Sequence, residues 1–481
     1  MNRKLILMAL AALLASCGQD SKTEPESAAP AFVSSTPADG ASGIALDDFV
    51  LKVKYSANVR FSGTAAISPS TATISFKEAH DGVCQFEVGG LQYETKYTVT
   101  IPAGAVYVYG EPKNKAAEVK ISFTTEDAPP TPPESGKGSG GWENSTSAVL
   151  GMKTGWNLGN TLDSNGDWIS GGTSAWETAW GQPVTKPELI RMFADAGFGA
   201  IRVPVTWKEH IGADFTVDEA WMKRVQEVVG YVLDAGLYCI LNVHHDTGTE
   251  GWLHASSSNY AAQSAKFKAL WKQIAERFKD CGEKLLFESF NEMLDNSNNW
   301  GNPSADAVAA INSYNADFVQ TVRATGGGNA HRNLIVNTYA ANVESNSISG
   351  FALPADSATD HLIAEFHSYA PYRFAFKQDD ASQQLTVFDS ACETEVKNLL
   401  TKAINALHAK GVPCIIGEYG ADSSAASESE IAKQATCYVS TAKSLGAACF
   451  YWMALSDGKD RSEPKWTKPL IKDAIINAYG K

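Results

Sequence analysis

Two stretches of the chain decide its fold: Leu285-Leu286-Phe287-Glu288-Ser289-Phe290-Asn291-Glu292 and Val412-Pro413-Cys414-Ile415-Ile416-Gly417-Glu418-Tyr419-Gly420. Each is an apolar run that ends close to a glutamate, and such runs are typical of strands buried on both faces of a parallel sheet. Barrels of parallel strands keep catalytic groups at the carboxyl ends of their strands. We therefore expect Glu292 and Glu418 to meet in one pocket, where a facing pair of carboxylates suits the hydrolysis of a glycosidic bond.

Eight strand-like segments alternate with helical segments in the part of the chain from residue 145 to residue 481. The predicted strands are residues 154–159, 199–204, 238–243, 285–290, 333–337, 362–367, 413–417 and 447–452. Alternation of this kind implies a parallel sheet, and eight units in roughly 335 residues match the size of a (β/α)8 TIM barrel. A doubly wound open sheet is the alternative, although no GxGxxG sequence follows the first strand.

Two helices of this part are predicted in detail. Thr185-Lys186-Pro187-Glu188 has the spacing of a capping box, which predicts a helix over residues 189–196. Residues 219–235 have the apolar spacing of an amphipathic helix.

The chain begins with a targeting segment, which we assign to residues 1–17. Arg3 and Lys4 precede an apolar run that is too short to span a bilayer. Leu14-Ala15-Ser16-Cys17 resembles a bacterial lipobox, so we expect Cys17 to carry a lipid; ordinary signal-peptidase cleavage is the alternative. Residues 18–30 are then a polar tether. The expected location is the outer membrane or cell surface of a bacterium, with the lipid as the membrane contact.

Residues 31–126 show short alternating segments separated by turn signals, which predict an all-β sandwich. The opening Ser35-Thr36-Pro37-Ala38-Asp39-Gly40 and the closing Ser122-Phe123-Thr124-Thr125 resemble a bacterial Ig-like domain. Such modules usually serve as spacers, and a carbohydrate-binding module is the competing interpretation. Residues 127–144 are rich in Pro, Gly and Ser and are predicted to be a linker to the barrel.

Composition excludes some classes of partner. The formal net charge of −14 argues against nucleic acid, because phosphate binding requires clustered Lys and Arg. We identify no metal site and no cofactor: the cysteines contain no CxxC pair, and the adjacent His244 and His245 would point to opposite faces of a strand. We expect a monomer.

Polar and aromatic residues stand at the predicted carboxyl ends of several strands, while the strand bodies are apolar. They are Arg202, His244, His245, Asn291, Glu292, His367, Tyr369, Glu418 and Trp452. Such convergence on one rim is hard to explain by stability alone, and it predicts an active site.

The same segments resemble glycoside hydrolase family 5, and the opening of the barrel is similar to its endoglucanase subfamily 4. The motifs are Gly155-Trp156-Asn157-Leu158-Gly159-Asn160-Thr161, Glu177-Thr178-Ala179-Trp180-Gly181, Ile201-Arg202-Val203-Pro204, Asn242-Val243-His244-His245, Phe290-Asn291-Glu292, His367-Ser368-Tyr369 and Ile416-Gly417-Glu418-Tyr419-Gly420. They occur in order over nearly the whole segment after the linker. Met293 and Tyr419 depart from the common pattern of the family, which has Pro and Phe at these positions.

The resemblance implies a role for each residue. Glu292 would be the general acid/base, Glu418 the nucleophile, and Asn291 a partner of the sugar 2-hydroxyl. Arg202 and Tyr369 would keep the nucleophile ionised. The residues expected to line the sugar site are His244, His245, His367 and Trp452, and the loop residues Trp252 and Trp300 are plausible sugar platforms. Glu288 is interpreted as structural.

The expected activity is that of an endo-β-1,4-glucanase that retains anomeric configuration. Its polymer partner would be a β-glucan such as xyloglucan, mixed-linkage glucan or a cellulose-like chain. An endo-β-1,4-mannanase is the alternative enzyme. A non-catalytic glycan-binding lipoprotein is the alternative outside catalysis, but a pure binder has no need of both Glu292 and Glu418. A transglycosylase is a third, weaker alternative.

Overall fold

The chain divides into two units between Pro129 and Pro130 in a computed structural model, which describes residues 28–128, 136–422 and 424–480. The predicted targeting segment with Cys17, most of the tether and part of the linker lie outside the described residues. Residues 136–144, which the composition assigned to the linker, hydrogen-bond to the barrel: the amide of Ser139 donates to Thr359 and that of Glu143 to Glu283, at 3.5 and 2.8 Å. The second unit thus begins before residue 145. The composition of residues 136–144 is that of a loop and does not show that these residues dock on the barrel.

The described part of the first unit is built from strands alone, as predicted. They are β1 (Phe32–Thr36), β2 (Ala41–Ile44), β3 (Phe49–Tyr55), β4 (Val59–Phe61), β5 (Ala66–Ser68), β6 (Thr73–His80), β7 (Val83–Gly89), β8 (Lys96–Ile101), β9 (Val106–Val108), β10 (Glu111–Lys115) and β11 (Val119–Thr125). They pair in the orders β1-β3-β7-β6, β10-β9-β4 and β2-β11-β8-β5. Alternate residues such as Leu51, Val53, Phe86, Val99 and Ile121 are fully buried, which forms the core of a β-sandwich.

The second unit contains a closed barrel of eight parallel strands, which confirms the predicted TIM barrel and rules out the open sheet. The strands are β12 (Thr154–Asn157), β13 (Ala200–Val203), β14 (Tyr238–Asn242), β15 (Leu285–Glu288), β16 (Leu334–Asn337), β17 (Leu362–Phe366), β18 (Cys414–Tyr419) and β19 (Ala448–Trp452). Every predicted barrel strand overlaps an observed one. Pairing of Asn157 with Trp452 closes the barrel.

Helices connect the barrel strands and cover their outer face. They are α1 (Ser145–Met152), α2 (Thr173–Glu177), α3 (Pro187–Ala196), α4 (Glu219–Asp234), α5 (Ser257–Phe278), α6 (Ala305–Ala324), α7 (Ser345–Gly350), α8 (Tyr372–Ala375), α9 (Ser390–His408), α10 (Glu428–Ser444), α11 (Lys459–Ser462) and α12 (Pro469–Gly480). Over the described residues, none of the helices combines the length and the apolar character that crossing a membrane requires.

The predicted capping box before α3 is wrong. The helix begins at Pro187 with Lys186 as its N-cap, and no side chain caps it. Proline at the first helical position removes one of the amides that a cap would satisfy, and the amide of Thr185 is bound instead by the Glu177 carboxylate at 2.7 Å.

The interior of the barrel is layered. A lower layer of apolar side chains fills it, with Ile240, Leu286, Ile335, Ile363 and Ile415 among its members. Side chains two residues further along a strand point to the same face. The next layer toward the carboxyl ends is polar, and it contains Asn157, Arg202, Asn242, Glu288, Asn337 and Glu365, all fully buried. This polar layer is the floor on which the candidate site is built.

Candidate active site

Glu292 and Glu418 lie side by side above the polar layer. Glu418 belongs to β18, whereas Glu292 follows β15 in a loop. One carboxylate oxygen of each lies within 4.8 Å of the other. Carboxyl groups that cooperate in retaining glycoside hydrolysis are about 5 to 5.5 Å apart, and those of inverting enzymes are about 6.5 to 9.5 Å apart. The spacing therefore suits the retaining reaction.

Arg202 organises the floor below this pair. Its Nε and Nη2 donate to the two oxygens of Glu288 at 2.6 and 2.8 Å. Nη1 donates to Asn157 and to Glu418, and Nη2 also donates to Asn291, each at 2.9 Å. All five N–H groups of the guanidinium are thereby used, and Arg202 is completely buried. The network holds Glu418 and Asn291 at fixed positions relative to one cation.

Glu418 is held as an anion. Its Oε1 accepts from Arg202 at 2.9 Å and its Oε2 accepts from the Tyr369 hydroxyl at 2.8 Å. Burial alone would raise the pKa of this carboxyl, but His367, Arg202 and Tyr369 outweigh it and lower the pKa below its ordinary value. A buried carboxylate that is held ionised has the properties of a nucleophile.

Glu292 has the opposite tendency. Burial raises the pKa of Glu292, and the negative charge of Glu418 raises it further, although His367 works against both. Nδ1 of His367 lies 2.9 Å from Oε1 of Glu292, and the Glu292 side chain is 23% exposed. Two carboxyls whose environments separate their pKa values in this way are suited to be acid and nucleophile.

His367 lies between the two glutamates and is charged. Burial would lower the pKa of this imidazole, but the charge of Glu418 and hydrogen bonds to Glu292 and Glu365 raise it to about 10. With both ring nitrogens protonated, Nδ1 donates to Glu292 and Nε2 donates to Glu365 at 3.3 Å. The charge of His367 therefore stabilises the ionised form of Glu418.

His244 is neutral, and its hydrogen bonds determine its tautomer. Burial lowers the pKa of His244 far below its ordinary value. The amide nitrogen of Asn242 donates to Glu288 and is 3.0 Å from Nδ1 of His244, so Nδ1 is the acceptor. Nε2 then carries the proton, and it lies 4.0 Å from Oε1 of Glu418, which makes it a donor toward a bound sugar.

His244 and His245 do not lie on a strand, and the prediction that they point to opposite faces of one is wrong, because β14 ends at Asn242. Both residues lie in the loop that follows, and their ring centroids are 4.5 Å apart. Trp452 stacks parallel to His244 at 5.8 Å. Only glycine at position 159 leaves room for this indole, because a Cβ there would lie 2.9 Å from it.

Two groups of described residues have metal-like spacing: Asp163 with His244 and His245, and Glu292 with His367 and Glu418. The carboxylates of both groups already accept hydrogen bonds. The oxygens of Asp163 accept from the amides of Asn160 and Thr161, and those of Glu418 accept from Arg202 and Tyr369. A cation at either group would compete with these donors.

Aromatic side chains occur in the connections that follow the carboxyl ends of the strands. Trp300 is 53% exposed, as a sugar platform requires, whereas the Nζ of Lys266 lies 4.2 Å over the ring of Trp252 and covers one of its faces. Trp168 and Tyr372 are 64% and 65% exposed, and neither was predicted from the sequence as a sugar platform. Their positions shortly after β12 and β17, at the carboxyl ends of barrel strands, could have indicated them as candidates for sugar binding.

Most of the polar layer was not predicted from the sequence. Asn157 and Asn242 were quoted only within motifs, and Asn337 and Glu365 were not considered. A signal was present for three of them, because Asn242, Asn337 and Glu365 each follow an isoleucine by two positions in a predicted strand. Glu288, interpreted as structural, is the direct partner of Arg202.

A parallel barrel that carries a buried anionic glutamate, a second glutamate with a raised pKa and a neighbouring imidazolium defines a glycoside hydrolase. The chain belongs to glycoside hydrolase family 5: the family model for cellulase (glycosyl hydrolase family 5) matches residues 162–458. The model for a bacterial Ig-like domain matches residues 26–125.

Individual relatives agree with this assignment. Endoglucanase A of Ruminococcus albus is 38% identical over 338 residues, which cover 68% of this chain and 90% of that protein. A family 5 enzyme of Prevotella bryantii B14, solved with a xyloglucan tetradecasaccharide, is 43% identical with a TM-score of 0.65, covering 70% of this chain and 99% of its own. A GH5-4 broad specificity endoglucanase from an uncultured bacterium is 42% identical with a TM-score of 0.64, covering 71% and 97%.

Proposed function

We propose that the protein is an endo-acting β-1,4-glucanase that cleaves plant β-glucans with retention of configuration at the anomeric carbon. The observation that carries this proposal is the spacing of Glu292 and Glu418, whose oxygens approach within 4.8 Å. This spacing agrees with the about 5 to 5.5 Å of retaining enzymes better than with the about 6.5 Å or more that an inverting enzyme needs for its water.

The reaction proceeds in two displacements. Glu418 attacks the anomeric carbon while Glu292 gives its proton to the departing glycosidic oxygen, so a glycosyl ester forms and the old bond breaks. Glu418 is then uncharged, the pKa of Glu292 falls, and Glu292 takes a proton from the incoming water. The water oxygen bonds to the anomeric carbon, and the Glu418 carboxylate is released.

The surrounding side chains support these steps. The charges of Arg202 and His367 compensate the anionic nucleophile until the ester forms. Asn291 is fixed by Arg202 and is placed to meet the sugar 2-hydroxyl, while Nε2–H of His244 faces the same space. His245 lies at the edge of this space, and Trp452 provides the platform for the sugar whose bond is broken.

The exposed aromatics suggest a long open cleft. Trp168, Trp300 and Tyr372 lie in three different connections that follow barrel strands, and aromatic rings bind the apolar faces of sugars. Tyr372 is linked to the site through Phe376, whose ring centroid is 5.0 Å from those of both Tyr372 and Tyr369. A cleft of this kind suits internal cleavage of a polymer, and the relatives named above favour xyloglucan and related glucans as substrates.

A panel of polymers tests the activity. Purified protein is incubated with xyloglucan, barley β-glucan, carboxymethylcellulose and mannan, and reducing ends are followed. We expect release from at least one glucan with a rapid fall in viscosity, because internal cuts shorten chains quickly. If no glucan releases reducing ends, the proposal is refuted. If mannan alone is hydrolysed, the protein is an endo-β-1,4-mannanase instead.

The role of Glu418 is tested with an aryl β-cellobioside that has a good leaving group. Glu418→Ala should lose activity by several orders of magnitude and regain part of it with azide, which takes the place of the missing carboxylate. Glu276→Ala, on the exposed face of α5, is the control and should behave as wild type. Wild-type activity in Glu418→Ala without azide would refute the assignment.

We further propose that a lipid on Cys17 anchors the chain to a bacterial membrane, with the Ig-like domain as a spacer between membrane and barrel. The basis is the sequence Leu14-Ala15-Ser16-Cys17. Expression in cells fed an alkyne-labelled fatty acid tests it: the wild type should be labelled and Cys17→Ala should not. Equal labelling of both proteins would contradict the anchor.

A further inference from the structure

A third inward-facing glutamate, Glu365, lies beneath the catalytic pair and has no part in the mechanism described so far. It belongs to β17, two residues before His367, and is completely buried. Its Oε1 is 3.3 Å from Nε2 of His367 and 3.6 Å from Nε of Arg202. His367 thus has one glutamate on each ring nitrogen: Glu292 on Nδ1 and Glu365 on Nε2.

The neighbouring strands β16 and β18 accommodate the carboxyl of Glu365. A Cβ at Gly417 would lie only 1.6 Å from Oε1 of Glu365, so glycine before the nucleophile is what lets Glu365 reach His367. Asn337 is the neighbour of Glu365 in register on β16. Among the residues described, Oδ1 of Asn337 and Oε2 of Glu365 are both buried without a hydrogen-bond partner. A proton on Oε2 would supply the donor that this pair of acceptors needs.

The charged groups around Glu365 come from three strands and from the loops after β15 and β17. Glu288 on β15 and Glu418 on β18 are negative, and Arg202 on β13 and His367 after β17 are positive; Glu292 follows β15. The inward residues of the remaining strands are the neutral Asn157, Asn242, Asn337 and Trp452. Burial and the charge of Glu288 raise the pKa of Glu365 to about 7, against the opposing effect of Arg202. Glu365 therefore changes charge within the range in which glycosidases work.

We propose that Glu365 is a positioning residue for the reaction. Its Oε1 accepts from Nε2–H of His367 so that Nδ1–H points at Glu292, and its charge sets the pH above which Glu292 loses its proton. This inference rests on the proposed function of Glu292 as the acid/base.

The consequence for activity follows from the sign of the charge. Below about pH 7 a neutral Glu365 accepts from His367 through Oε1 and keeps a proton on Oε2. Above about pH 7, Glu365 is an anion on the opposite side of His367 from Glu292. Its negative charge opposes the ionisation of Glu292. Glu292 thus keeps its proton to a higher pH than it would without Glu365.

Two substitutions separate orientation from charge. Glu365→Gln imitates the neutral form, since its amide oxygen can accept from His367 and its amide nitrogen can donate to Asn337. We expect wild-type kcat near pH 5.5, a KM within twofold of wild type, and an alkaline limb of kcat/KM moved about one unit to lower pH. Glu365→Leu removes the acceptor and should lower kcat roughly tenfold or more at every pH.

Coincident pH profiles of wild type and Glu365→Gln would overturn the role of charge, and unchanged kcat in Glu365→Leu would overturn the role in orientation. The control is Glu177→Gln, a buried glutamate bonded to Arg224, which should leave the alkaline limb in place. If Glu365→Leu does not fold, a second measurement on wild type and Glu365→Gln tests whether Glu365 acts on His367.

That measurement is nitrogen NMR of protein labelled with ¹⁵N-histidine. An ordinary histidine is neutral at pH 8, so a ring that is protonated on both nitrogens at that pH identifies His367. We expect this signal in wild type, and its loss at a lower pH in Glu365→Gln. Its absence from wild type would refute the inference. Since this readout needs no turnover, it is independent of the polymer panel, whose failure would refute the proposed function instead.

Discussion

Tyr369→Phe is the change whose effect can be worked out most completely from the structure. It removes one atom, the hydroxyl that donates to Oε2 of Glu418 at 2.8 Å. The ring, which contacts Phe376, stays in place. Because burial and then the anion of Glu418 raise the pKa of Tyr369 far above its ordinary value, the phenol is a donor over the whole working range.

The size of the effect follows from the charge on the acceptor. A hydrogen bond to a charged group contributes about 1.5 to 3 kcal/mol, and one pKa unit corresponds to about 1.4 kcal/mol. The folded pKa of Glu418 is lowered, so loss of a donor moves it upward. The acid limb of kcat/KM should therefore move about one to two units to higher pH, and activity below the limb should fall roughly 10- to 100-fold.

The assay is kcat/KM on a soluble β-glucan across the acid range. Tyr231→Phe is a matched control, because its hydroxyl also donates to a glutamate, Glu227, at 2.6 Å, but on the exposed surface of α4. It should leave the limb where it is, since exposed interactions of this kind contribute little. An acid limb of Tyr369→Phe that coincides with that of wild type would refute the account of how Glu418 is kept ionised.

Three further predictions follow from the same geometry. Wild-type kcat/KM should be bell-shaped in pH, falling in acid as Glu418 is protonated and in alkali as Glu292 ionises; a flat alkaline side would contradict the acid role. Arg202→Met removes the cation from between Glu288 and Glu418 and should lower the free energy of unfolding by about 3 to 5 kcal/mol, so an unchanged urea midpoint would contradict the network. Trp300→Ala should raise KM for a polymer but not for an aryl cellobioside. If the variant and the wild type have the same KM for the polymer, Trp300 is not a sugar platform.

The barrel could be predicted from the sequence because its strands are buried on both faces. Segments such as 238–243 and 413–417 are apolar almost throughout, and the helices between the strands leave few other topologies. Glu292 and Glu418 stood out for the same reason, since a carboxylate at the end of an apolar run needs an explanation.

Features that depend on contacts between distant segments could not be predicted. Glu365 lies inside an apolar run, and nothing local indicates that Gly417, on the next strand, makes room for it. Likewise, the docking of residues 136–144 depends on partners such as Thr359 and Glu283, which are remote in sequence. The error on His244 and His245 arose because the strand ends earlier than its apolar run suggests.

The most direct test of the central claim is to trap the covalent intermediate. A cellobioside with fluorine at C2 and a good leaving group slows both displacements, but the second one more, so the glycosyl ester accumulates. Peptide mass spectrometry after digestion should find the sugar on the peptide that contains Glu418, with fragmentation assigning it to that residue. A label on any other residue, or no label on an enzyme that the reagent inactivates, would contradict the proposed retaining mechanism.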